Sequence, residues 1–180
     1  MTGNDVGQLD LLPPTKAPRI TERDMLDLLN ARYGKVYRNG SSEMLRYIGA
    51  EHVRSHAGFD TRRTADYIAM DVWPGVPYGS KLALHGHEVK VSRSDWLTEL
   101  KAPEKAEEFK RYMDYWWLVV SDPAIVKPGE LPEGWGLMVK SGNLIRVKKR
   151  APKLDPLPMP KPLMACLLRA VSKTAKREAS

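Results

Sequence analysis

Cysteine is nearly absent from this chain. The single residue, Cys166 in 180, excludes an internal disulfide framework and a cysteine-based zinc site, and suits a reducing compartment. Long hydrophobic runs are missing too. No apolar stretch is long enough to span a bilayer, and the first residues, Met-Thr-Gly-Asn-Asp-Val-Gly, lack the apolar core of a signal peptide. The expectation is a cytoplasmic protein with no membrane partner. Ser92 lies near histidines but has no nucleophile elbow, which argues against a hydrolase triad. There are no internal repeats.

What is present suits one domain with tails. Hydrophobic residues make up 42% and charged residues 28%, enough for a real core in a soluble chain. The net charge of +7 is unevenly spread: from Lys140 onward there are eleven Lys and Arg against Asp155 and Glu178. A basic tail on a near-neutral domain suits attraction to a polyanion such as nucleic acid, and serves equally as a solubilising tail.

Residues 1–20 carry Pro13, Pro14 and Pro18 without periodicity and read as a flexible arm. Thr21 caps a helix to about Tyr33, with Met25, Leu26, Leu28 and Leu29 as its apolar stripe and Gly34 as its stop. Strands follow at 46–55, 64–73 and 82–92, joined by a link containing Gly58 and a turn at 74–80. Pro103 opens a helix to about Tyr115, then 116–120 is a buried-type strand and 136–139 with 144–148 a hairpin. Residues 151–180 read as a proline-dense linker and a last short helix, 163–176, with one apolar and one basic face. The pattern is α/β with a meander at its centre.

Glu88 and Lys90 interrupt an apolar strand one residue apart, so both side chains leave the same face. Charges in such a place are costly unless paired or bound to a metal. A hairpin centred near Pro77 sets Asp66 opposite Glu88; a turn near Gly58 and Phe59 sets Glu51 opposite Asp66. Three carboxylates in a row would repel strongly, and a divalent cation relieves that. A one-residue slip flips a face. Asp71 competes with Asp66 but lies five residues further along its strand. The same residues also suit an ordinary sheet face, with Glu88 answered by Lys90 or Arg63.

Four histidines raise the question of zinc. His85 and His87 project from the face opposite Glu88, and with His52 and His56 they read as core or helix-facing side chains, since no cysteine pair joins them. Asp95 suits a helix cap and Arg93 a phosphate contact. Trp116 and Trp117 read as core; Trp135, between Gly134 and Gly136, suits core or surface.

The stretch Arg62-Arg63-Thr-Ala-Asp66, followed by Glu88-Val-Lys90-Val-Ser-Arg93-Ser-Asp95-Trp96-Leu97, resembles the MmcB-like DNA-repair branch of the PD-(D/E)XK nuclease superfamily, and nuclease-like proteins of actinobacterial phages. The likeness spans roughly residues 21–150. Ala65 stands where the superfamily usually has proline, a looser match. The resemblance implies an αβββαβ restriction-endonuclease-like core, a central mixed sheet flanked by helices, with a C-terminal hairpin and basic tail added. It also implies a nuclease-like domain at 21–150 that hydrolyses phosphodiesters in DNA repair, recombination or phage DNA metabolism.

On that resemblance Asp66, Glu88, the Val89 carbonyl and Glu51 would hold Mg²⁺ or Mn²⁺, and Lys90 would orient the attacking water. Arg63, Arg93, Lys148, Lys149 and Arg150 would contact DNA. The alternatives are an inactive DNA-binding protein on the same fold and a phage assembly factor. Oligomeric state stays open, a homodimer included.

Overall fold

A computed structural model describes residues 19–39, 41–56, 63–73, 82–102 and 104–179. The expected arm before Arg19, the link at Gly58 and Phe59, the turn at 74–80 and Pro103 lie outside the described residues. The chain folds as an α/β protein: a six-stranded mixed sheet packed by helices, with a separate two-stranded hairpin.

Helix α1, Glu22–Tyr33, starts where the sequence sets it. The Thr21 hydroxyl accepts from the Asp24 N–H at 3.2 Å and the Asp24 carboxylate accepts from the Thr21 N–H at 2.7 Å, a reciprocal cap. Next come β1 (Val36–Asn39) and β2 (Ser42–Leu45), a small antiparallel ribbon that the hydropathy pattern did not announce. Strands β3 (Tyr47–Arg54), β4 (Thr64–Asp71) and β5 (Ala83–Lys90) form the expected meander.

Beyond β5 the single expected helix is two. Helix α2, Arg93–Leu100, is capped by Ser92, whose hydroxyl accepts from the Asp95 N–H at 3.2 Å; α3 is Glu104–Lys110. Asp95, expected as the cap, instead stands in the first turn, and the Ser92 hydroxyl, one residue before the helix, takes the role. Strand β6, Tyr115–Val120, runs parallel to β5. Strand β7, Trp135–Ser141, runs parallel to β6, and β8, Leu144–Lys149, returns beside it around Gly142 at a φ of +59°. The hairpin expected as an addition is therefore part of the main sheet, whose order is β3-β4-β5-β6-β7-β8.

The two faces bury different residues. On one, Met25, Leu26, Leu29 and Tyr33 of α1 cover Tyr67, Ala69, Trp117, Val119 and Met138. On the other, Trp96, Ala106, Phe109 and Met113 cover Ile68, Trp116, Leu118 and Val120. Trp135 belongs to this second core, 3% exposed.

The C-terminal segment is not a free tail. Residues 151–160 stay extended but are tied down, with the Leu154 N–H bonded to the Asp114 carbonyl at 2.8 Å and the Leu157 N–H to the Arg111 carbonyl at 2.8 Å. Helix α4, Lys161–Glu178, packs along β3, burying Leu163, Cys166, Ala170 and Thr174. The Thr174 hydroxyl accepts from the Glu51 N–H at 3.0 Å, which covers part of an otherwise open strand. No helix among the described residues is long and apolar enough to cross a membrane.

Candidate metal centre

The β4–β5 ladder pairs Asp71 with Ala83 through to Tyr67 with His87, the register expected from the sequence. Asp66 and Glu88 lie one residue past the last of these pairs. There the Asp66 side chain fills a place that a neighbouring strand would otherwise occupy: its Oδ2 accepts from the Val89 N–H at 2.7 Å. Lys90 Nζ donates to Glu88 Oε1 and lies 3.3 Å from Glu99 Oε2 on α2. All three of these side chains are 14% exposed.

Two acids are thus half-sequestered with one lysine between carboxylates. Burial pushes the Asp66 carboxyl up, against the pull of the Val89 N–H and the Lys90 charge. Burial does the same to Glu88, and the Asp66 and Glu99 charges add to it while Lys90 opposes. Burial on its own would lower Lys90, but Glu88, Glu99 and Asp66 more than reverse it and hold the amine above its ordinary value. Lys90 therefore stays an ammonium, suited to orienting water or balancing charge and unsuited to abstracting a proton.

The β3–β4 register differs from expectation by one residue, enough to exchange faces. Glu51 pairs with Tyr67, and Val53 with Ala65, so His52 is the residue that faces Asp66. The expected row of three carboxylates across three strands is not formed. Glu51 instead accepts from Arg23 at 2.5 and 2.7 Å, Asn30 at 2.5 Å and Arg177 at 2.7 Å. Its burial would raise the carboxyl, yet the hydrogen bonds from Arg23 and Asn30 and the nearby guanidinium charges bring it down to about 2. Glu51 is a structural anion.

Two residues take its place beside Asp66. One ligand atom each from Glu22, His52 and Asp66 lies within 4.8 Å of the others. Glu22 comes from the first turn of α1, where acids commonly answer the helix dipole, so its spacing carries no functional signal. His52 sits at a φ of +49°, in the left-handed region that residues other than glycine seldom adopt, though histidine does so more readily than most. The sequence groups it with His56, His85 and His87 as core or helix-facing, but His52 and His56 are exposed, at 48% and 60% of each side chain.

The remaining expected residues are scattered. Asp71 pairs with Arg46 at 2.9 Å and accepts from the Trp73 N–H at 3.1 Å, at the far end of β4. Arg93 grips Glu130 with two nitrogens and donates to the Ile125 carbonyl at 2.7 Å, fastening a loop. Arg63 lines a small hollow with Glu88 and Glu99, its Nε 3.9 Å from Glu108. Lys148, Lys149 and Arg150 are exposed at the β8 edge, four strands and about 19 Å from β4. His87 is fully buried and bonded to the Tyr33 hydroxyl at 2.8 Å, and His85 stacks on Tyr115 with centroids 4.8 Å apart. Burial lowers them to about 3 and about 4, so both rings are neutral, His87 in the core and His85 half-buried beside it.

Fold and centre together define a mixed α/β protein with an acid-rich cluster where two strands of its sheet part. No family model matches the sequence, and no curated protein does. Among solved structures the chain is similar to the SPO1766 protein of unknown function from Silicibacter pomeroyi, at 18% identity over 74% of this chain and 77% of that one, with a TM-score of 0.47.

Proposed function

We propose that this protein is a Mg²⁺- or Mn²⁺-dependent nuclease acting on DNA, on an αβββαβ restriction-endonuclease-like core. The observation that carries the reading is the meeting of Asp66 with the Val89 N–H where β4 and β5 part, beside the Glu88–Lys90 pair. The donor set suits a divalent cation: one ligand atom each from Glu22, His52 and Asp66 lies within 4.8 Å of the others, Glu88 stands close enough to feel the Asp66 charge, the Val89 carbonyl would add a further ligand, and both inner carboxyls are raised by burial and by negative neighbours that a cation would neutralise. When bound, such an ion supplies Lewis acidity and a more acidic water.

The chain's own residues do the rest. Lys90, held charged by Glu88 and Glu99, aligns the attacking water and offsets charge on the phosphorus oxygens. Parent protein with either metal is expected to cut at least one of supercoiled, linear duplex or single-stranded DNA. Asp66→Asn, Glu88→Gln and Lys90→Ala should each lower the rate by 100-fold or more, about 2.7 kcal/mol of transition-state stabilisation. Equal rates in parent and variants would remove the assignment.

A specific observation supports a second reading, a DNA-binding protein without activity. Glu88 is answered by Lys90 and Asp66 by Val89 N–H, so the cluster is satisfied without a cation. DNA binding with no cleavage of any form and no calorimetric uptake of Mn²⁺ favours it.

A further inference from the structure

We propose that the cleft between β3 and α4 binds the phosphate backbone of a single DNA strand and leads it to the acids around Asp66. What happens at the end of the cleft rests on the nuclease reading; binding within it does not.

The cleft holds about 350 Å³ between β3 and the following residues up to His56 on one side and α4 on the other. Arg54 and His56 stand on the strand side. On the helix, Arg169, Lys173 and Arg177 recur every four residues, which aligns them in a stripe with about 6 Å of rise between neighbours. Arg177 is committed, since it bonds Glu51 at 2.7 Å and Asp27 at 3.2 Å and so fixes the helix wall. Arg54, Arg169 and Lys173 have no acidic partner among the described residues. The lining contains one acid, Glu51, and its charge is already answered by Arg23 and Arg177. The cleft therefore carries net positive charge between low-dielectric walls, a setting that concentrates anions.

Size and shape select the anion. A duplex, whose major groove alone is about 12 Å across, is too bulky for such a space. A single strand suits it, because such strands bind in basic grooves whose flat side chains stack the bases. His52 and His56 supply rings there. His52 also belongs to the Glu22–His52–Asp66 cluster, so the cleft and the acids share a wall.

The test measures binding, in EDTA, by anisotropy of a labelled oligothymidine with the full chain. A duplex of equal length and millimolar inorganic phosphate serve as competitors. The parent should prefer the single strand and resist displacement by phosphate. Arg169→Gln/Lys173→Gln, both side chains being on the exposed wall of α4, should keep the parent's thermal midpoint. It should bind at least about tenfold more weakly, with the salt slope shallower by about 1.4, the share of two phosphates. Lys127→Gln, exposed and outside the cleft lining, should bind like the parent. Parent-like binding by the Arg169/Lys173 variant at both low and high salt overturns the proposal. So does displacement of the strand by free phosphate, or a duplex that binds more tightly. Strand binding that depends on these residues, together with no cleavage under Mg²⁺ or Mn²⁺, leaves the cleft standing and removes the nuclease reading instead.

Discussion

Single residues at the centre differ in what they answer to. Glu88 is a carboxylate whose burial and acidic neighbours disfavour its charge, so replacing it with glutamine should cost the metal-free protein little. The loss should show with metal. At a concentration about ten times its Kd, Mn²⁺ adds about 1.4 kcal/mol to the folded state, a rise of about 3–6 °C in the midpoint of a chain this size. Differential scanning fluorimetry should show that rise in the parent and none in Glu88→Gln. Glu51 is the opposite case. Glu51→Gln strips two guanidiniums of their partner, and a loss of about 1.5–3 kcal/mol in urea melts is expected, with metal uptake unchanged. A Glu51→Gln protein of parent stability that no longer takes up Mn²⁺ would return Glu51 to the ligand set.

At the scale of elements, α4 is a wall as well as a tail. Its buried positions follow one face, Leu163, Cys166, Ala170 and Thr174, while Leu168 is 64% exposed. Leu163→Ala should cost about 2–5 kcal/mol, and Leu168→Ala should stay within about 0.5 kcal/mol, both read from chemical denaturation. Equal effects would mean that α4 does not dock as described. Gly86 imposes a similar demand on β5, because a Cβ there would meet the Trp116 ring at 2.3 Å. A larger residue would shift the strand that carries Glu88 and Lys90.

Across the whole molecule, acid stability is set by groups of opposite sign. His85 and His87 are lowered to about 4 and about 3, so the unfolded chain takes up their protons first, and their stabilisation is lost as pH falls from about 6.5 through those values. Asp66 and Glu88 are raised, so the folded chain holds their protons longer, and acidification over an overlapping range favours the fold. Glu51, lowered to about 2, loses its contribution only below the ordinary carboxylate value of about 4.5. Between pH 7 and 4.5 the two sets therefore oppose each other in the parent. Removing one carboxyl, as in Glu88→Gln, should make the thermal midpoint fall more steeply on acidification. Parallel profiles for parent and variant would show that Glu88 is not raised.

The sequence by itself determined what short-range geometry controls. A strand's alternation sets Glu88 and Lys90 on one face, a cap fixes the start of α1 at Thr21, and the residues symmetric about Pro77 give the β4–β5 register as far as Tyr67 and His87. Tertiary structure decided whatever depends on one element meeting another. One residue of register between β3 and β4 sends Glu51 to Arg23 and Arg177 and brings His52 to Asp66, because a strand's side chains change face at every step. Glu22 reaches the centre only because α1 packs its apolar stripe across the sheet. The basic C-terminal segment becomes a cleft wall only because burying Leu163 and Ala170 against the sheet outweighs leaving α4 in solvent.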